Sequence, residues 1–144
     1  MQLKLRTIAS LLAAASVLAP AMRAMAEPVA VPIDGEASVN GIGVGCTGVG
    51  ESKLDPKWLA YPVRVEFSDA SNAYLANEVL TVRNAGGDEL LSVFCEGPWI
   101  LLKLAPGTYR IEGRVQGTDA KPETATIRPP SHGQMRVVLK FPDL

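Results

Sequence analysis

Histidine is nearly absent from this 144-residue chain: His132 is the only one. That excludes a histidine-rich zinc or copper centre and any catalytic pair of histidines. His132 stands beside Ser131 and Gly133 in a turn-like stretch, and neighbouring residues rarely bring a hydroxyl and an imidazole into hydrogen-bonding reach. A Ser-His-Asp arrangement is therefore not expected, and no nucleophile elbow is present. Basic clusters are lacking too. The Lys and Arg residues are scattered, and Lys4, Arg6 and Arg23 lie ahead of every acidic residue, so the chain after residue 26 is net acidic. Phosphate-backbone recognition needs concentrated positive charge, so nucleic acid is not an expected partner. No cofactor or metal site is expected.

A long hydrophobic run is also missing. The apolar stretch Ile8 to Leu18 is about 11 residues, against the roughly 20 needed to span a bilayer. It follows Lys4 and Arg6 and precedes Pro20 and the small-residue site Ala24-Met25-Ala26, the pattern of a cleaved secretory signal. Residues 1–26 are read as that signal, residues 27–60 as a Gly-rich N-terminal strand and connection, and residues 61–144 as the core of one domain. The expected location is periplasmic or secreted, with no stable membrane insertion after cleavage.

Only two cysteines are present, Cys46 and Cys95. In an oxidising compartment they are expected to pair. Closing a loop of about 50 residues contributes roughly 4 kcal/mol on the chain-entropy account, before native strain is subtracted. Two unpaired thiols, or a redox pair lacking the Cys-x-x-Cys spacing, are the alternatives.

Around Cys46, Gly43, Gly45 and Gly48 satisfy the Gly-x-Gly-x-x-Gly spacing of dinucleotide-binding loops. That chemistry needs a preceding strand and a following helix within a βαβ unit, and neither a helical repeat nor a following parallel strand is visible. A flexible or bulged strand tied down through Cys46 is the reading adopted.

Strand alternation dominates from Tyr61 onward. Val63, Val65 and Phe67 share one face against Arg64, Glu66 and Ser68; Leu91, Val93 and Cys95 share another; Tyr109, Ile111 and Val115 oppose Arg110, Glu112 and Arg114; Met135, Val137, Leu139 and Phe141 close the chain. Tyr74 to Val82 leads into a further strand, Asn84 to Asp88 is a hairpin signal, and Pro106-Gly107 reads as a type II turn that reverses the chain. Counting Trp99 to Leu104 and Thr124 to Ile127, about seven strands follow at sandwich-like spacing. The predicted fold class is all-β, an antiparallel β-sandwich, prealbumin-like or immunoglobulin-like, in which Cys95 faces the core and a bridge to Cys46 staples two layers.

The order of these motifs resembles a family. Ala76-Asn77-Glu78-Val79, the 84–88 turn, Gly97-Pro98-Trp99, Leu101 and then Leu104-Ala105-Pro106-Gly107-Thr108-Tyr109 are similar to the carboxypeptidase regulatory-like domain, a transthyretin-like sandwich, over about Pro62 to Phe141. With the signal segment and the Gly-rich strand, the combination is also similar to small secreted proteins of proteobacteria. Glu96 stands where the family usually carries Asp, and Pro98 is a further departure. The resemblance implies turn and core roles for Gly97, Trp99, Leu104, Pro106, Gly107 and Tyr109, and no activity. The chain also lacks the several histidines and the Tyr-Arg-Gly-Ser end of transthyretin-like hydroxyisourate hydrolases.

The expected function is a non-catalytic envelope module that binds or assists another envelope protein. The alternative is a carbohydrate-binding module, with Trp58 and Tyr61 as candidate aromatic platforms. A hydrolase or isomerase with a site built from loops is the remaining possibility. An exposed Trp58 beside polar groups favours a sugar platform, and a concave pocket with convergent titratable groups favours an enzyme.

Overall fold

The computed structural model describes residues 15–19 and 27–144, so the expectation of a signal over residues 1–26 falls, apart from residues 15–19, outside the described residues. Ten strands form two five-stranded sheets packed face to face. In chain order they are β1 (Val29–Val31), β2 (Gly35–Val39), β3 (Ile42–Thr47), β4 (Val63–Asp69), β5 (Glu78–Asn84), β6 (Glu89–Cys95), β7 (Trp99–Leu102), β8 (Tyr109–Val115), β9 (Glu123–Ile127) and β10 (Met135–Phe141). One sheet, here sheet I, runs β1-β6-β5-β8-β9; the other, sheet II, runs β10-β4-β7-β3-β2.

The all-β sandwich is as expected, but a count of seven antiparallel strands is too small and too uniform. Beyond the seven strands from residue 61 onward, the Gly-rich strand expected around Cys46 is β3, and β1 and β2 are additional. Asn40 and Gly41 both have positive φ, 50° and 79°, and Val39 pairs directly with Ile42. The two-residue loop suits the right-handed twist of β2 and β3, and Asn-Gly is its strongest sequence signal. Two pairings are parallel: β1 with β6, and β10 with β4. The second arises because β9 ends in sheet I and the chain crosses through residues 128–134 to enter sheet II, where β10 runs alongside β4 over seven residue pairs from Met135↔Val63 to Phe141↔Asp69.

The Pro106-Gly107 turn also differs from expectation. Gly107 is not among the positive-φ glycines, so the turn is not type II. It does not form a hairpin either, because β7 belongs to sheet II and β8 to sheet I. The segment is a corner between layers. The Tyr109 hydroxyl donates to the Ala105 carbonyl at 2.8 Å and the Tyr109 ring lies against Gly107, which fixes the angle at which the chain changes sheets.

The core follows the predicted alternation. Val65, Phe67, Leu80, Val82, Leu91, Val93, Ile111, Leu139 and Phe141 are buried between the layers, and the Phe67 and Phe141 rings stack at 5.9 Å. The interruption of the apolar face of β8 at Gly113 has a packing cause: a Cβ there would meet Leu139 at 2.6 Å and Phe67 at 2.7 Å. The Cys46–Cys95 disulfide joins β3 to β6, hence sheet II to sheet I, with both sulfurs buried in the core.

Candidate functional site

Strand β7 is buried on both faces, and this organises the outer surface of sheet II. Ile100 and Leu102 enter the main core, whereas Trp99 and Leu101 project outward and form a second apolar cluster with Trp58 and Tyr61. The segment from Glu51 to Ala60 makes two short 3-10 turns, Glu51–Leu54 and Pro56–Ala60, that carry Trp58 over the sheet. Asp55 caps the second turn by accepting from the Lys57 amide at 2.9 Å, with Pro56 at the first position. Gly45 explains the Gly-rich strand: a Cβ at that position would lie 2.7 Å from the Trp58 ring. The glycine lets an indole rest on the sheet, and no phosphate-binding loop is formed, since β3 is antiparallel to both its neighbours and leads into two short 3-10 turns rather than the α-helix of a βαβ unit.

This places Trp58 and Tyr61 inside a closed cluster. They are 3% and 1% exposed. Trp58 Nε1 donates to the Ser52 carbonyl at 2.8 Å, and the Lys57 ammonium sits 4.3 Å from the centre of its ring. The Tyr61 hydroxyl donates to Glu36, and burial, reinforced by that carboxylate, pushes the phenol well above its ordinary pKa. Gln134, on the β9–β10 crossing, donates from Nε2 to the Trp58 and Tyr61 carbonyls at 2.8 and 2.9 Å. Asp34 accepts from Thr47 at 2.7 Å and from Ser52 at 2.9 Å, fastening the other end of the segment. A sugar ring has no open indole face to stack on here.

Tyr74, in the lead-in to β5, faces solvent at 47% exposure, and nothing in its local sequence pattern marks it as a surface aromatic. It sits edge-on to Trp99 at 6.2 Å, held by a single bridge between Ser68 and Tyr74. Beside it lies Glu66, 1% exposed on the outer face of β4. Arg136 donates to Glu66 at 2.6 Å, the Tyr74 hydroxyl donates to it at 3.3 Å, and the Arg64 Nε stands 2.9 Å from its other oxygen. The Arg64 guanidinium also covers the Trp99 ring at 4.3 Å. The ion pair explains how a carboxylate is tolerated at this depth.

Glu78 is the contrasting case. It is fully buried on the inner face of β5, in register with Cys95 on one side and Val115 on the other, and among the described residues neither carboxyl oxygen has a hydrogen-bond partner. Loss of solvation pushes its pKa from 4.5 up to about 9, so it is a neutral acid at pH 7.

A concavity of about 600 Å³ lies on the opposite side of the molecule, over the outer face of sheet I. Val79, Thr81 and Ser92 form its floor; Glu27 and Pro28 and the loop from Gln116 to Pro122 form its walls. The Thr81 and Ser92 hydroxyls are 3.2 Å apart and hydrogen-bond each other. Among the described residues neither hydroxyl hydrogen-bonds any other side chain. Glu89 and Arg114 bring one charge of each sign to the rim.

Pro98 and Gly97 serve the junction of the sheets: a Cβ at Gly97 would fall 2.6 Å from the Thr47 carbonyl, and the Pro98 carbonyl accepts from the Phe67 amide at 3.1 Å. Leu104 is buried in the main core. Among the described residues no helix is long and apolar enough to cross a membrane, and a cross-layer disulfide is the chemistry of an oxidising compartment. No family model matches the chain, and no curated protein is significantly similar to it.

Proposed function

We propose that the protein is a non-catalytic periplasmic or secreted module that binds another envelope protein through the groove on sheet I. The observation that carries this reading is the groove itself. It joins an apolar floor at Val79 to a self-satisfied hydroxyl pair at Thr81 and Ser92, under walls of mixed charge. Shape, apolar area and a few oriented polar groups are what a recognition site requires. Hydroxyls bonded to one another, and to no other side chain among the described residues, suit recognition better than nucleophilic attack.

The relationship to the carboxypeptidase regulatory-like domain belongs to the same proposal. It is supported by the Gly97 approach to Thr47 and by the Tyr109 to Ala105 contact at the Pro106-Gly107 corner. Both give packing roles to the motif residues.

Ala120→Trp tests the groove. Ala120 lines it and is partly exposed, with its methyl against the edge of the main core, so an indole there fills the space, and a thermal melt of the variant checks that the core contact is kept. The expected outcome is loss of the bound envelope protein with thermal unfolding unchanged. Retention of the same partner at the same affinity would remove the groove from the account.

A further inference from the structure

The depression beside Tyr74 has a different chemistry from the groove on sheet I. It measures about 380 Å³ and is lined by Glu66, Ser68, Asn72, Tyr74, Arg136 and Lys140, with Val138 between the two cations on β10. That volume falls in the range of roughly 300–1,000 Å³ common for small-ligand sites. Ser68 is 3% exposed, and its hydroxyl has no partner among the described residues although it borders the depression. A buried hydroxyl with no partner calls for an explanation.

Lys140 pairs in register with Ser68 on this same face and makes no ion pair among the described residues. Arg136 is held in place by Glu66 at 2.6 Å. Counting Arg64, Arg136 and Lys140 against Glu66 and Asp69 leaves one positive charge in excess. Asp69 interacts electrostatically with Lys140 and is included in that sum, but the two make no ion-pair contact among the described residues, its Oδ1 being engaged by the Ser71 amide, the Ser71 hydroxyl and the Ala73 amide at 2.7 to 2.9 Å.

We infer that this depression binds a saccharide carrying a carboxylate. Its ring would lie against Tyr74 and Val138, and its carboxylate would be received by Lys140 and the Ser68 hydroxyl. A single excess positive charge matches a monoanionic carboxylate better than a phosphate dianion. A half-exposed tyrosine flanked by both donors and acceptors (Arg136, Asn72, Glu66) suits hydroxyls that donate and accept at once. The inference is independent of the groove on sheet I and survives its failure.

The test is calorimetric titration of the purified protein, with backbone amide shifts mapped by NMR, using a galacturonic acid trimer, a neutral galactose trimer, an acidic peptide of equal charge, and acetate at matched ionic strength. The acidic trimer should bind about tenfold more tightly than the neutral one, the scale of one charge-assisted hydrogen bond, and shift amides in residues 66–74 and 136–140. Lys140→Gln should abolish that preference, and Tyr74→Ala should weaken both sugars. Ser68→Ala should weaken acidic-sugar binding while leaving thermal stability equal or higher, because it deletes an unsatisfied hydroxyl; this variant keeps the test valid if Tyr74→Ala misfolds. Equal binding of the two trimers, tighter binding of the peptide, acetate reproducing the whole shift pattern, shifts confined to sheet I, or a Lys140→Gln variant with unchanged preference would each overturn the inference.

Discussion

Two buried glutamates show how a single side chain sets a local stability. Glu66 is compensated by Arg136 and Arg64, whereas Glu78 has no partner among the described residues and stays protonated up to about pH 9. In the unfolded chain Glu78 ionises at its ordinary value of 4.5. Between those values unfolding releases a proton that the folded chain keeps, so stability is full below pH 4.5 and falls as pH rises towards 9, by up to about 1.4 kcal/mol per pH unit. At pH 7 the cost is on the order of 3 kcal/mol. Glu78→Gln should flatten this slope and raise stability at pH 8 relative to the parent protein. Urea unfolding at pH 5 and pH 8 measures it, and equal slopes for the two proteins would show that Glu78 ionises normally when folded. Gly45 is the second decisive residue. Gly45→Val puts a branched side chain where the Trp58 ring lies 2.7 Å from a Cβ position, and should cost about 1–3 kcal/mol as overpacking. Fluorescence of Trp58 during unfolding should report a displaced indole, and an unchanged spectrum would contradict this packing role.

At the scale of elements, the staple between β3 and β6 holds the N-terminal strands to the rest. Cys46→Ala with Cys95→Ala should lower stability by up to about 4 kcal/mol, and hydrogen exchange should rise first in β2 and β3, which lie at the edge of sheet II. Uniform exchange across both sheets would show that the bridge acts only through the unfolded chain. The same strands mark where sequence reading reached its limit. Strands β4 to β10 were legible because Val, Phe, Leu and Ile recur every second residue with polar partners between them. β3 was legible only as a Gly-rich strand around Cys46, because its glycines serve tertiary packing, Gly45 making room for Trp58 and Gly43 for Lys103; β2 was missed, although Asn40-Gly41 carried the hairpin signal in plain sight. The parallel placement of β10 depends on which sheet the chain enters after β9, which no local pattern encodes. Trp99 was legible as a packing residue. The exposure of Tyr74 and the enclosure of Trp58 and Tyr61 were not, because both follow from how the Glu51 to Ala60 segment lies over β7 and β3.

At the scale of the whole molecule, the two outer faces of the sandwich have diverged. Sheet II is covered by an aromatic cluster clasped by Gln134, Asp34 and Glu36, leaving a cationic depression at its β10 edge. Sheet I keeps a groove open between the lead-in at Glu27 and the loop after β8. The central claim is that this groove is the protein-binding surface. Site-specific photo-crosslinking tests it most directly: a photoreactive residue at Gln116 on the groove wall is compared with one at Glu51 on the outer side of sheet II, each in the native envelope. The account predicts one stoichiometric protein adduct from position 116, none from position 51, and loss of the adduct when Ala120→Trp is added. Equal labelling from both positions, or adduct formation at 116 that persists with the groove filled, would contradict it.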